Sequence, residues 1–435
     1  MLFTKTTKPT VPSALTVIRP LKEARADTEH QLRALLDNFA GNLKDNAQLE
    51  FHKMTTVHYA AWLVLKPVGK HPARLVLETN YDGTLDEHLN ELVEHSAPAL
   101  DRIYDFCADY PGGAVDPNQR DKIVNYLLDG QTPTSAYFVG FPNRSVKDIR
   151  TAIWEYYEAK NLLEDLGRAG RAPEQIQTEL ISHFRTLPID RRPQPFKVTQ
   201  RSLKWHVAFI LTAVTLVLLL PVAIGLYLKH WWIGLLLSLA PFVYVAVLLL
   251  LIRGYEIAEQ LSEPPDDPTN HADDFDYINV GFQNHFCTFV TVKPGWFRWF
   301  VFRQVLLLGN FLNSQVFILS KLNHMDTVHF ARWTMIDGDR QMVFLGNFDG
   351  SWNGYLNDFA DQAWGVNLVW GNTLGFPPTR FLIRDGCKDL EAFEQQVLTH
   401  FVPAPVFYSA YDNVSVNNLG RYLEFHDYLA RAIAP

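Results

Sequence analysis

Three cysteines in 435 residues (Cys107, Cys287 and Cys387) are too few and too scattered for a disulfide framework or a cysteine-rich metal site. Charge is scarce as well. Charged residues make up 20% of the chain, and 39 basic against 47 acidic residues leave a net charge of −8. That balance excludes a general nucleic-acid binder. The chain has no P-loop, no H-E-x-x-H, no C-x-x-C and no nucleophile elbow. Residues 1–12, MLFTKTTKPTVP, have no apolar run, so no cleavable signal peptide is expected. Sparse cysteine fits a reducing compartment. Apolar residues make up 48%, enough for a sizeable core, and the length predicts two or three domains.

Charge is missing most completely from Trp205–Leu228 and Trp231–Ile252, which contain no Asp, Glu, Lys or Arg. Each is long enough to cross a bilayer core of about 30 Å as a helix. Only Lys229 and His230 separate them, so a transmembrane hairpin is expected over residues 205–252. Trp205, Tyr227, Trp231 and Trp232 mark its ends, where aromatic rings favour the headgroup level. A basic connector, 167–204, precedes it with Arg191, Arg192, Lys197, Arg201 and Lys204, and Arg253 follows it. The turn carries only Lys229, so the positive-inside rule puts both soluble parts in the cytoplasm.

Those two parts resemble each other. Thr56-Val57-His58-Tyr59-Ala60-Ala61-Trp62 matches Thr327-Val328-His329-Phe330-Ala331-Arg332-Trp333, and Asn80-Tyr81-Asp82-Gly83 matches Asn347-Phe348-Asp349-Gly350. Pro133–Val146 aligns with Pro403–Val416, and Leu15–Pro20 with Phe289–Pro294. Four blocks in the same order predict an internal duplication, residues 13–166 and 285–432. In the first, strands are expected at 14–20, 57–66, 73–81 and 134–141. Helices are expected at 26–42, from Thr84 to about 107, at 119–129, and from Ser145 to about 166. The order β-α-β-β-α-β is that of the ferredoxin-like unit. The expected fold is therefore α+β: two tandem ferredoxin-like modules, open sheet faces packed together, with the hairpin between them. An acidic linker is expected at 262–276. The second module's first helix lies in 295–317; its stretch GWFRWFVFRQVLLL suits either an interfacial helix or a core helix packed on the hairpin.

The repeated polar residues are the candidate chemistry. His58 and His329 begin the second strand of each copy, and Asp82 and Asp349 end the third. A β-hairpin would bring each His to its own Asp, a pairing that suits acid/base work. The bland reading is that Asn-aromatic-Asp-Gly is a turn or a helix cap. Arg332, three residues after His329, should point to the opposite face of its strand unless a bulge intervenes. The spacing of residue types indicates no metal site.

Gly346-Asn347-Phe348-Asp349-Gly350 resembles the G-x-x-D-G motif of DyP-type haem peroxidases, which are also built from two ferredoxin-like modules. The resemblance implies haem as cofactor and Asp349 on its distal side, assisting peroxide cleavage. The first copy departs from the motif, with Thr79 for the first glycine. The family's axial His and distal Arg have no marked equivalent; His400 and His426 lie on helical stretches without distinguishing context. The broader resemblance is to dimeric α+β-barrel proteins, including cofactor-free monooxygenases, and implies no haem. Two functions follow: a membrane-anchored peroxidase- or monooxygenase-type oxidoreductase acting on an apolar or lipid-derived substrate, or a non-catalytic membrane-anchored module binding a lipid or partner. A channel or transporter subunit is a third, weakened by the lack of ionisable groups inside the spans. The expected partners are the bilayer and an apolar small molecule, with a homo-oligomer allowed and nucleic acid excluded.

Overall fold

The computed structural model describes residues 12–22, 27–41, 43, 46–168, 170–196, 203–263, 265–269, 281–315, 326–361 and 363–434. Residues 26 and 42 of the first expected helix, 169 and 197–202 of the expected connector, 264 and 270–276 of the acidic linker and 316–317 of the interfacial segment lie outside the described residues.

The first half runs β1 (Ser13–Pro20), α1 (Thr28–Ala40), β2 (Val57–Leu65), β3 (Arg74–Tyr81), α2 (Leu85–Tyr104), α3 (Arg120–Asp129), β4 (Ala136–Val139), α4 (Val146–Arg168) and α5 (Pro173–Thr186). Two long helices follow, α6 (Leu203–Tyr227) and α7 (Trp231–Gln260). The second half runs β5 (Gln283–Thr291), α8 (Trp296–Gln315), β6 (Val328–Ile336), β7 (Gln341–Asp349), α9 (Trp352–Asp361) and α10 (Ala363–Trp370). A small hairpin, β8 (Thr379–Arg380) and β9 (Arg384–Asp385), precedes α11 (Leu390–His400), β10 (Val406–Ser409) and α12 (Val416–Ile433). Local signals account for several starts. Thr84 and Glu87 form a reciprocal capping box on α2, and the Ser145 and Ser415 hydroxyls cap α4 and α12.

Two four-stranded antiparallel sheets form, ordered β1-β3-β2-β10 and β4-β6-β7-β5. Each therefore takes its last strand from the other half of the chain. β4 pairs with β6 (Ala136 opposite Trp333), and β10 pairs with β2 (Val406 opposite Trp62). The sequence expectation had each half closing its own sheet. Local alternation cannot decide this, because β4 presents the same pattern to either sheet; the choice of partner is made by the packing of the whole.

The correspondence between halves extends to irregularities. β2 bulges between Val57 and Tyr59, and β6 between Val328 and Phe330. The isolated bridges Val17–Gln131 and Leu21–Cys107 are matched by Thr288–Phe401 and Val292–Thr373. These pairings correct one block of the sequence alignment. Leu15 sits opposite Thr79, and the residue opposite Gly346, the counterpart of Thr79, is Phe286. The first strands thus correspond three residues away from the match of Leu15 with Phe289.

β2, β3 and β7 are buried along their whole length, because both faces of each sheet are covered. Outward faces pack under helices: Trp62, Val64, Leu75 and Leu77 against α1–α3, and Phe286, Phe344 and Trp333 against the helices of the second half. Inward faces meet each other through Leu63, Leu65 and Val76 on one sheet and Phe289, Val343 and Leu345 on the other. At roughly 1.5–3 kcal/mol per buried large aliphatic or aromatic side chain, these layers are the main favourable term of the fold. Across the seam, Arg74 grips Asp337 at 2.8 Å.

Helices α6 and α7 form a hairpin whose side chains face outward. Two spans, Ala208–Tyr227 and Trp231–Leu261, are long and apolar enough to cross a membrane, and only 6% and 11% of their apolar windows are buried. They touch closely at glycines: a Cβ on Gly234 would run into the Pro221 carbonyl oxygen. α7 continues unbroken into the body. Ile252 packs with Phe297, Val301 and Leu382, and Tyr255 stacks on Phe297 at 4.5 Å. Glu256 accepts hydrogen bonds from Thr379 Oγ1 and the Phe381 and Leu382 amides, all at 2.8 Å. Those two residues hold left-handed φ values of 58° and 55°, a costly backbone for non-glycine residues that the carboxylate helps to hold. Glu259 pairs with Arg298 at 2.6 Å and Lys293 at 3.1 Å.

α8 packs on the body and on α7 through one face and leaves an apolar face exposed. Phe297, Val301, Phe302 and Leu306 are buried on the body, whereas Trp296, Leu307, Leu308 and Phe311 are exposed. The described part of the acidic linker is only partly a solvated strap: Asp267 accepts from His400 at 2.8 Å, and Thr269 is buried.

Candidate functional site

The strand bulges place His58 and His329 beside the Asp residues that end the neighbouring strands. His58 Nε2 lies 3.0 Å from Asp82 Oδ1, and His329 Nε2 lies 2.6 Å from Asp349 Oδ1. The second carboxylate oxygens are also engaged. Asp82 Oδ2 accepts the Val146 amide at 2.7 Å, and Asp349 Oδ2 accepts the Val416 amide at 2.6 Å. These amides open α4 and α12, where free N–H groups and the helix dipole favour an anion. The sequence suggested a cap on the following helix; the helices actually held are α4 and α12, each of which follows the last strand of its half.

Donation from His58 Nε2–H to the carboxylate leaves Nδ1 to accept the Tyr411 hydroxyl proton, at 2.9 Å. The two pairs meet in an aromatic cluster: Phe330 lies 5.3 Å from the His58 ring, and Tyr59 lies 5.3 Å from the His329 ring. Exposure is 0% for His58, 2% for His329 and 6% for each Asp.

Arg332 belongs to a different group. It is fully buried between the sheets, donating to Leu15 O at 2.6 Å, Thr79 O at 2.8 Å and Asn80 Oδ1 at 2.6 Å. It also pairs with Glu78 at 3.3 Å. The other Glu78 oxygen accepts from His285 Nε2 at 2.6 Å. Burial pushes the Glu78 carboxyl upward, but Arg332 and His285 outweigh it and hold the group below its ordinary value. Asn80 donates to Asn347 at 3.1 Å, so the matched asparagines of the two motifs touch across the sheets. Glu78, His285 and this asparagine pair were missed from sequence. The asparagines carried a signal, their place in both motifs. Glu78 and His285 carried none, since their counterparts, Leu345 and Ala14, have no charge.

The motif glycine has a packing explanation. Tyr81 stacks on His88 at 4.1 Å, and Phe348 stacks on Tyr355 at 3.9 Å. Thr79 bonds His88 at 2.7 Å. In the second half the larger Tyr355 stands where His88 stands in the first, and a Cβ on Gly346 would already be 3.3 Å from Phe344 and 3.6 Å from Tyr355. His400 and His426 are each paired, with Asp267 at 2.8 Å and Glu155 at 2.7 Å. No group of three metal-ligating side chains occurs among the described residues.

A cleft of about 820 Å³ opens where edge strand β5 faces edge strand β10. His285, Gln283, Phe407 and Tyr408 line it. No protein-family model, curated protein or solved structure matches the chain.

Proposed function

We propose that the chain is a membrane-anchored binding module for an apolar or lipid-derived small molecule, built from two duplicated ferredoxin-like units that exchange their last strands. One observation carries this reading over the oxidoreductase one. Asp349 commits one oxygen to His329 and the other to the start of α12, and both side chains are buried. Asp82 and His58 repeat that arrangement in the other half. Such groups hold helices in place. The distal role that the peroxidase resemblance implies for Asp349 needs a carboxylate free to receive a peroxide proton, so the residues do not fit haem chemistry of that kind.

α6 and α7 cross the bilayer in this reading, and the exposed apolar face of α8 lies in the headgroup region beside them. Support comes from the outward-facing apolar side chains and from the packing of α8 on α7. Two crossings leave both halves on one side, the cytoplasmic side by the positive-inside rule.

The full chain purified in nanodiscs tests the proposal. It should stay colourless on haem addition and show no peroxide-dependent dye oxidation. A Soret band with dye oxidation that Asp349→Asn abolishes would overturn it. A Lys229→Cys variant should react in intact cells with an impermeant maleimide while Asp121→Cys is protected. The reverse pattern would refute the sidedness.

A further inference from the structure

β5 is an edge strand, and residues 283 and 285 project from one face of it. Both side chains carry a buried polar atom without a protein partner: Gln283 Oε1 and His285 Nδ1. Their other atoms are fixed. Gln283 Nε2 donates to Val414 O at 2.7 Å, which turns Oε1 away from that carbonyl. His285 Nε2–H donates to Glu78 at 2.6 Å, and in the neutral imidazole this leaves Nδ1 as a bare acceptor. Gln283 is 7% exposed and the His285 side chain 2%. Leaving two buried acceptors unpaired is costly unless something else donates to them. Both residues line the β5–β10 cleft, whose volume of about 820 Å³ falls in the usual range for small-molecule sites.

The rest of the lining narrows the ligand. Phe282, Phe401 and Phe407 supply apolar surface. The cation in the wall, Arg150, is engaged with Ala410 O at 3.1 Å and Tyr408 Oη at 3.2 Å. The anchors are therefore acceptors, suited to a neutral head with donors and unsuited to a carboxylate. The opposite seam differs in the same terms. There Arg332 reaches Leu15 O and Thr16 Oγ1 and fills the space between β1 and β4. Its counterpart at the cleft is Ala61, opposite Phe407.

We propose that the β5–β10 cleft binds a neutral amphipathic molecule whose hydroxyl groups donate to His285 Nδ1 and Gln283 Oε1 while its apolar part lies on the phenylalanines. This rests on the binding-module reading and specifies its ligand. The probes are 1-octanoylglycerol, with two hydroxyls, and methyl octanoate and octanoate, which have none. They are titrated calorimetrically into the full chain in nanodiscs, with empty nanodiscs as blank. Octanoylglycerol should bind at least tenfold more tightly than either comparison probe. His285→Phe and Gln283→Met should each weaken it by about tenfold, the worth of one hydrogen bond to a buried acceptor. Ala40→Trp, a half-buried lining residue at the end of α1, should fill the cleft and block binding without unfolding the protein. In ¹⁵N spectra the His285 Nδ1 resonance should move with octanoylglycerol and stay put with methyl octanoate. Equal binding of all three probes, blocked by Ala40→Trp but insensitive to His285→Phe, would overturn the anchor and leave an apolar binding module. No binding of any probe would overturn the module reading itself.

Discussion

Truncating Asp349 to alanine removes two contacts at once. The Val416 amide loses its acceptor at 2.6 Å, and His329 Nε2 loses its partner at 2.6 Å, both in a buried setting. An unsatisfied buried donor costs about 1–3 kcal/mol, and a lost helix cap typically about 1 kcal/mol. The Ser415 hydroxyl still accepts from Asn418, so the helix start is not stripped completely. A net destabilisation of about 2–4 kcal/mol follows, or a fall in Tm of about 3–6 °C for a body of this size. Asp349→Asn keeps an acceptor for Val416 and can donate to the imidazole in its other tautomer, so it should cost about half as much. The assay is thermal unfolding of the full chain in nanodiscs, with hydrogen exchange followed by mass spectrometry. Exchange should accelerate at the start of α12 in Asp349→Ala and at the start of α4 in Asp82→Ala. An unchanged Tm and unchanged protection in Asp349→Ala would refute the framework role. So would an enzymatic activity lost in Asp349→Asn at full stability, where loss of a general acid/base would read as roughly 10²-fold.

Glu78 predicts a pH dependence. Its folded pKa is lowered, so its contribution to stability is full above the unfolded carboxylate value and is lost as pH falls through the folded one. Glu78→Gln should flatten the acid limb of a Tm–pH curve; an unaltered limb would show that the group is not ionised in the fold. In the hairpin, Gly234→Val forces a side chain against the Pro221 carbonyl, and overpacking of this kind costs about 1–3 kcal/mol. The variant should raise protease sensitivity at residues 228–230, and wild-type resistance would argue against the close crossing. Breaking the seam pair with Arg74→Ala should leave Asp337 with a weaker anchor, since His71 stays 3.5 Å away. A double-mutant cycle should give a coupling energy of about 1–3 kcal/mol for this mostly buried pair, and zero would refute its role.

Much of the molecule was legible wherever a local pattern was sufficient. Charge-free length marked α6 and α7, and the capping residues Thr84 and Ser145 marked their helices. The His58–Asp82 and His329–Asp349 pairings followed from hairpin geometry. What escaped was decided between distant segments. β4 and β10 crossed to the other sheet because each half offers them the same ladder. The first-strand match slipped by three residues because Leu15-Thr16-Val17 and Phe289-Val290-Thr291 are similar β-branched runs. Only their opposite strands distinguish the registers. The bulges of β2 and β6 were likewise invisible in alternation.

Only the second half has the complete G-x-x-D-G, and only it has an arginine, Arg332, where the first half has Ala61. The contacts support a structural reason for those two differences. Gly346 makes room beside Tyr355, and Arg332 seals the β1–β4 seam while neutralising Glu78. Neither change adds a reactive group to the His329–Asp349 pair. They matter through the opposite seam, where Ala61 leaves space and His285, fixed by the same Glu78, presents an unpaired nitrogen beside a cleft. A single buried carboxylate thus joins the sealed seam to the open one. On the proposed binding-module reading this asymmetry has a use: one pair of edges is closed, and the other keeps buried polar atoms without a protein partner. The His–Asp pairs, by contrast, are alike in both halves, and each holds the start of the corresponding helix, α4 or α12, in the same way.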